Sequence, residues 1–254
     1  MKAIIIAAGP GKRLLPFTKN KPKCMLEVGG KTILERALEA LRENGVTDIV
    51  MVKGYRKDTI NYPDIKCYYN ANYLENNILA SLFCVEKEMK AGFIFSYSDI
   101  LYEAGVVKAL LQSNEDISLV IDKDWAQRYK GRTLHPVDEA ELVVVEDGRV
   151  VIISKFMNPD IAYGEFTGLA NFTKKGAEIL IRNYKRLRTS QWCGFKEFHR
   201  FHDAVSIDKA YLTDMLQELI DRGYPIYNVD INGGYFEIDT PQDLEIARKI
   251  WKNK

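Results

Sequence analysis

The chain lacks any run approaching the roughly 18 apolar residues of a membrane span. It also lacks a secretory h-region at its start, which reads as a core strand, so the expected compartment is the cytoplasm. Neither sign of charge dominates: 36 Lys and Arg stand against 35 Asp and Glu, a formal charge of +1 over 254 residues. That balance gives a polyanion partner no support, and neither nucleic acid nor a membrane is expected to bind. Cysteine is scarce, with four residues in all. Cys24, Cys67, Cys84 and Cys193 are scattered without a C-x-x-C pair, which argues against a zinc site or a disulfide framework and leaves reduced thiols as the simplest reading. His199 and His202 form an H-x-x-H pair beside Asp203, but no third ligand accompanies them, and the pair reads as structural. Two familiar phosphate signatures, G-x-x-x-x-G-K-[ST] and G-x-G-x-x-G, are missing as well.

What is present is concentrated at the amino terminus, MKAIIIAAGPGKRLLPFTKNKPKCMLEV. Ala3 to Ala8 form a continuous small and β-branched run, as in a strand buried on both faces of a parallel sheet. Such a strand delivers the following loop to the sheet's carboxyl edge. There Gly9 and Gly11 can take positive φ and let backbone N–H groups approach phosphate oxygens. Arg13, Lys19, Lys21 and Lys23 add positive charge nearby. Taken alone, AAGPGKR also fits a surface turn flanked by solvated lysines.

The wider string Gly9, Gly11, Arg13, Pro16, Thr18, Pro22, Lys23 and Val28 resembles the signature of nucleotidyltransferases that couple an NTP to a phosphorylated acceptor. The resemblance implies attack by an acceptor phosphate or phosphonate oxygen on the α-phosphorus, with pyrophosphate leaving. Chemistry of this kind depends on positioning and charge neutralisation. It further implies Ala8 and Gly9 near base and ribose, Gly11 and Arg13 on the β- and γ-phosphates, and Lys23 facing the α-phosphate.

Strand-like and helical segments alternate along the chain, which predicts an α/β fold with a Rossmann-like, mostly parallel mixed sheet flanked by helices. Thr32 and Glu35 make a capping box for a helix carrying Leu34, Leu38 and Leu41, stopped by Gly45. Ile49–Lys53, Phe93–Tyr97 and Ile117–Asp122 read as further strands. Leu142–Glu146 and Arg149–Ser154 alternate around Asp147-Gly148, a hairpin signal. The chain is read as one domain of 1–254, with a nucleotide-binding core of 1–123 and 204–254 and an acceptor-binding insertion of 124–203 that shares its apolar core. Thr240-Pro241 opens the last helix.

Asp99 and Asp239 each stand where a strand-like run gives way to a polar turn. An isolated aspartate there serves as a turn former or helix cap; the resemblance assigns both to Mg²⁺, a hard ion that prefers carboxylate and phosphate oxygens. The segment NANYLENNILASL offers amides and a hydroxyl, and Asn77 and Ser81 are the candidates for reading a base. The same residues fit an N-capped helix that buries Leu79 and Leu82. The pattern N-x-x-x-S-L resembles cytidylyltransferases acting on small phosphorylated or phosphonate alcohols and amines, which implies CTP.

FSYSDILYE, GEFTGLANF and the run from Ala210 to Leu244 extend the resemblance toward bacterial phosphocholine cytidylyltransferases and the cytidylyltransferases of 2-aminoethylphosphonate and 2-hydroxyethylphosphonate. They imply an acceptor held by Lys155 at its phosphate and Glu165 at its far end. Where relatives commonly carry tryptophan near Gly233-Gly234, this chain has Tyr235-Phe236, and Tyr235 can offer a π-face to a cationic acceptor. Trp125, Tyr129, Tyr163 and Trp192 could do the same. Two other readings remain open: a sugar-1-phosphate nucleotidyltransferase using UTP, dTTP or GTP, and a nucleotide-binding sensor without turnover. A homodimer is compatible with the sequence.

Overall fold

The computed structural model describes residues 1–190 and 200–252. Trp192, Cys193 and His199 therefore lie outside the described residues. In chain order the described strands are β1 (Lys2–Ala7), β2 (Glu27–Val28), β3 (Lys31–Thr32), β4 (Asp48–Lys53), β5 (Lys66–Tyr69), β6 (Phe93–Tyr97), β7 (Ile100–Tyr102), β8 (Ile117–Asp122), β9 (Leu142–Glu146), β10 (Arg149–Ser154), β11 (Gly164–Phe172), β12 (Tyr227–Ile231) and β13 (Tyr235–Glu237). The helices are α1 (Ile33–Glu43), α2 (Ile78–Phe83), α3 (Glu86–Met89), α4 (Ala104–Leu111), α5 (Trp125–Arg128), α6 (Lys174–Ser190), α7 (Leu212–Asp221) and α8 (Pro241–Ile250).

One mixed sheet organises the fold, in the order β5-β4-β1-β6-β11-β8-β12-β10-β9. β5, β4, β1 and β6 run parallel, which is why β1 is an apolar run with no polar face. β11 reverses direction and pairs antiparallel with both β6 and β8. β9 returns to pair with the start of β11, so the ladder at that end closes on itself and leaves no long open edge. The strands drawn from 124–203 are thus woven into the sheet, and Val143 and Phe166 share one buried cluster with Ile4 and Ile5.

Local signals explain the elements that place the site. Thr32 Oγ accepts from the Glu35 N–H at 3.0 Å, and the Glu35 carboxylate accepts from the Thr32 N–H at 2.7 Å, closing the expected capping box of α1. Leu34, Leu38 and Leu41 are buried beneath it. A second apolar cluster holds Leu14, Leu26, Ile238, Leu244 and Trp251. Each of its first three members flanks a functional candidate: Arg13, the Lys23 turn and Asp239. Burying such side chains contributes about 1.5–3 kcal/mol each, so the loops that carry the polar groups are anchored by their apolar neighbours. Among the described residues no helix is long and apolar enough to cross a membrane. Cys24, Cys67 and Cys84 are free thiols.

Candidate active site

β1 and β6 are parallel neighbours with Ile6 opposite Tyr97, so both strands end at the same edge of the sheet. The glycine loop leaves β1 there, and Asp99 sits in the turn between β6 and β7. β13 pairs antiparallel with β7, and the Ile238 N–H donates to the Asp99 carbonyl at 2.9 Å. That pairing brings Asp239, more than a hundred positions away, beside Asp99. Both carboxylates bond the Lys23 ammonium, Asp99 at 3.1 Å, and Asp239 also accepts from Arg13. Arg13 reaches Glu139 at 3.0 Å with its other nitrogen.

The electrostatics follow from this geometry. Burial works against the Lys23 charge, but Asp99 and Asp239 outweigh it and raise its pKa. Burial likewise disfavours the Asp239 carboxylate, yet Lys23 and Arg13 hold its pKa below the usual range. Glu237, two residues earlier on β13, is pushed well upward by burial and by the nearby Asp239 and Asp99 charges. Glu237, Asp239 and the buried His135 bring ligand atoms within 4.8 Å of one another. The His135 Nε2 atom is buried there without a hydrogen-bond partner.

A cleft of about 490 Å³ opens over these groups. Ala8, Gly9, Gly11, Arg13, Lys23, Asn77, Ser81, Asp99, Lys155 and Asp239 all line it. Glu165 and Tyr235 line a smaller recess that shares Arg13, Tyr97, Lys155, Glu237 and Asp239 with the cleft. Lys19 and Lys21 are not part of its lining.

Of the two loop glycines, only Gly11 takes positive φ, at 58°. A Cβ there would sit 2.5 Å from the Lys23 stem, so the absent side chain makes room for the lysine. Gly9, expected to need the same freedom, does not have positive φ; a Cβ there would meet nothing within 4 Å, and it simply borders the cleft.

The base-reading candidates also serve the local fold. Asn77 is the N-cap of α2: its oxygen accepts from the Ile78 N–H at 2.9 Å and its nitrogen donates to the Lys209 carbonyl at 3.0 Å. Ser81 Oγ donates to the Asn77 carbonyl at 3.1 Å and accepts from Asn70 at 2.9 Å. The helix that buries Leu79 and Leu82 and the cleft wall are therefore the same element. Lys155 pairs with Glu141 at 3.2 Å and lies 3.8 Å from the Tyr211 ring centroid. Burial disfavours its charge, but Glu141 raises its pKa overall. Glu165 is buried and accepts from the Tyr129 hydroxyl at 2.5 Å, and burial pushes its pKa up to about 7. Of the other aromatic candidates, Tyr163 bonds Asp230, and Trp125 packs with Tyr129 in a separate cluster. His202 contacts Glu218 at 3.3 Å.

Tyr73, Asn76, Glu141, Tyr211 and Glu237 are lining residues that the sequence did not single out. Glu237 was within reach, because period-two alternation along a strand puts it on the same side as Asp239. Glu141 and Tyr211 follow no local pattern and arrive only through the long-range path of β9 and the entry to α7.

Asp243 supports Asp239 through the backbone of the turn that carries it. Its carboxylate accepts from the Asp239 N–H at 3.0 Å and the Thr240 N–H at 2.8 Å, and from Arg132 Nε at 2.8 Å. Burial opposes its charge, but His135 and Arg132 hold its pKa well below the ordinary range. Asp243→Ala would strand the buried Arg132 and remove the cap that presents Asp239, at a cost of about 3–5 kcal/mol. Urea denaturation should show that loss; a change below about 1 kcal/mol would contradict the buried-pair account.

Residues 3–162 match the family described as MobA-like NTP transferase domain. The chain is 32% identical to a CTP:phosphoglutamine cytidylyltransferase of Campylobacter jejuni, over 97% of this chain and 98% of that protein. It is 35% identical to a choline-phosphate cytidylyltransferase of Streptococcus pneumoniae, over 41% of this chain and 47% of that protein. A solved CTP:phosphocholine cytidylyltransferase structure, also from Streptococcus pneumoniae, shares the fold with a TM-score of 0.73 at 24% identity, covering 98% of both chains.

Proposed function

The chain belongs to the MobA-like NTP transferase family, a family of nucleotidyltransferases, and we propose that it transfers the cytidylyl group of CTP to a small phosphorylated or phosphonate acceptor. The observation that carries this reading is the convergence of Lys23, Asp99 and Asp239 beside a glycine loop at one sheet edge. Full-length likeness to a relative that uses CTP supports the choice of base.

In the proposed reaction an acceptor oxygen forms a bond to the α-phosphorus of CTP. The bond from that phosphorus to the bridging oxygen breaks, and pyrophosphate leaves with the electron pair. Lys23 supplies a compact charge with three donors for the α-phosphate, whose negative charge grows during attack. Arg13 and the backbone of Gly11 hold the β- and γ-phosphates, and Ala8 and Gly9 lie near the base and ribose. Among the described residues Asn77 retains one unused donor and one unused lone pair, and Ser81 one unused lone pair, for a pyrimidine edge. Lys155 binds the acceptor phosphate, and Glu165 and Tyr235 meet its far end.

Asp99 and Asp239 fit a divalent cation, because both carboxylates already meet at one positive centre, the Lys23 ammonium. Bound there, Mg²⁺ would neutralise phosphate charge and polarise the α-phosphoryl group. Asp99 and Asp239 would hold that ion, and Lys23 and Arg13 would then have phosphate oxygens as their partners.

The test is pyrophosphate release with Mg²⁺ and each NTP, against phosphocholine, 2-aminoethylphosphonate, 2-hydroxyethylphosphonate and several sugar 1-phosphates. Release with CTP and one of the small acceptors is expected. Release only with a sugar 1-phosphate and UTP, dTTP or GTP would replace this reading with a sugar nucleotidyltransferase.

A further inference from the structure

Beyond Lys155 and Glu237 the cleft continues into the recess on whose wall Glu165 sits, with a volume near 30 Å³. On this measure a single water needs roughly 10–15 Å³, so the recess has room for about two waters. The cations around the recess are already paired, Arg13 with Glu139 at 3.0 Å and with Asp239. Lys155 pairs with Glu141 at 3.2 Å, Arg132 with Asp243 at 2.8 Å, and Arg128 with Asp122 through a 2.8 Å bond. Among the described residues no cation forms a salt bridge with Glu165, the Arg132 charge acting on it only through space, and the hydrogen bond it receives comes from the Tyr129 phenol. Its β11 position opposite Asp122 adds a second carboxylate rather than a counter-charge.

A buried carboxylate without a cation is costly unless a ligand brings the missing charge or a proton stays on it. We propose that the acceptor brings that charge as a primary ammonium group, and that Glu165 selects it over a trimethylammonium or an uncharged end. This inference rests on the cytidylyltransferase reading above and sharpens its acceptor. Two physical arguments favour the primary amine. An –NH₃⁺ group is about the size of a water and fits the recess, whereas three added methyl groups do not. It also carries three N–H donors for carboxylate lone pairs, and a quaternary nitrogen carries none. Burial that raises Glu165 to about 7 is consistent with a site awaiting a cation.

The experiment compares kcat/KM, with CTP and Mg²⁺, for O-phosphoethanolamine and 2-aminoethylphosphonate against phosphocholine, ethyl phosphate and 2-hydroxyethylphosphonate. The amine-bearing acceptors are expected to lead by at least about tenfold, because a site built for hydrogen bonds rejects an analogue that cannot make them. Glu165→Gln keeps the shape and mimics the protonated acid. It should erase that preference, with the loss falling on KM for the amines rather than on kcat. Equal use of phosphocholine or an uncharged acceptor by the unaltered protein would overturn the inference while leaving cytidylyl transfer intact. So would an undiminished amine preference in Glu165→Gln, which would mark Glu165 as a protonated structural group. Failure of the parent reading looks different: no acceptor in the set would release pyrophosphate from CTP, and the inference would fall with it.

Discussion

Lys23→Ala is expected to lower pyrophosphate release by about a hundredfold to a thousandfold, the usual effect of deleting one preorganised donor to developing charge. Among the described residues the ammonium is the one group bonded to both Asp99 and Asp239, and Gly11 packs against its stem. Its removal leaves two carboxylates facing each other with only Arg13 on Asp239, so the variant should also lose some stability while remaining folded by circular dichroism. Lys23→Arg is not expected to restore the rate, because a planar fork cannot take the place of a compact charge held between Asp99 and Asp239. The pH dependence carries a sign. A raised folded-state pKa means the Lys23 pairing stabilises the protein fully below the unfolded lysine value and is lost only as pH rises through the folded value. Alkaline loss of activity near the ordinary lysine range would therefore have another origin.

Asp239→Asn should be comparably damaging, again about a hundredfold or more, and more so than Asp99→Asn. Asp239 accepts from both Lys23 and Arg13, whereas Asp99 accepts from Lys23 alone among these cations. The amide keeps the shape at the start of α8 but removes the charge that a divalent ion would need. Steady-state rates titrated with Mg²⁺ measure this: the variant should need far more metal, or show no saturation. A rate and metal dependence like those of the unaltered protein would place the ion elsewhere, with the His135, Glu237 and Asp239 group as the next arrangement to test.

These effects arise from residues whose contribution the sequence exposed unevenly. β1, the glycine loop and Lys23 form one continuous segment, so their mutual placement follows from local rules: a buried strand ends, a turn follows, and a lysine returns. The Thr32–Glu35 box and the Thr240-Pro241 helix start are likewise local, and the structure contains both. Asp99 and Asp239 could be singled out by their positions after strand-like runs, but their meeting depends on the pairing of β7 with β13, which no spacing reveals. β11 shows the same limit. GEFTGLANF reads as a short strand, yet it is fully buried and occupies the middle of the sheet, reversing its direction between β6 and β8. Antiparallel pairing across such sequence separations depends on the whole chain, and so the contribution of β9, β10 and β11 to the sheet was hidden. Glu141 and Glu237 entered the site by that route. Asn77 illustrates the opposite case, since its local role as a helix cap and its place on the cleft wall coexist in one side chain.

The central claim is that the Lys23, Asp99 and Asp239 centre directs attack at the α-phosphorus of CTP. Phosphorus NMR of a reaction containing CTP, Mg²⁺ and the preferred acceptor tests it most directly. The account predicts pyrophosphate and a CMP–acceptor anhydride appearing in equal amounts as CTP disappears. Orthophosphate and CDP appearing instead would mean attack at the γ-phosphorus and would contradict it.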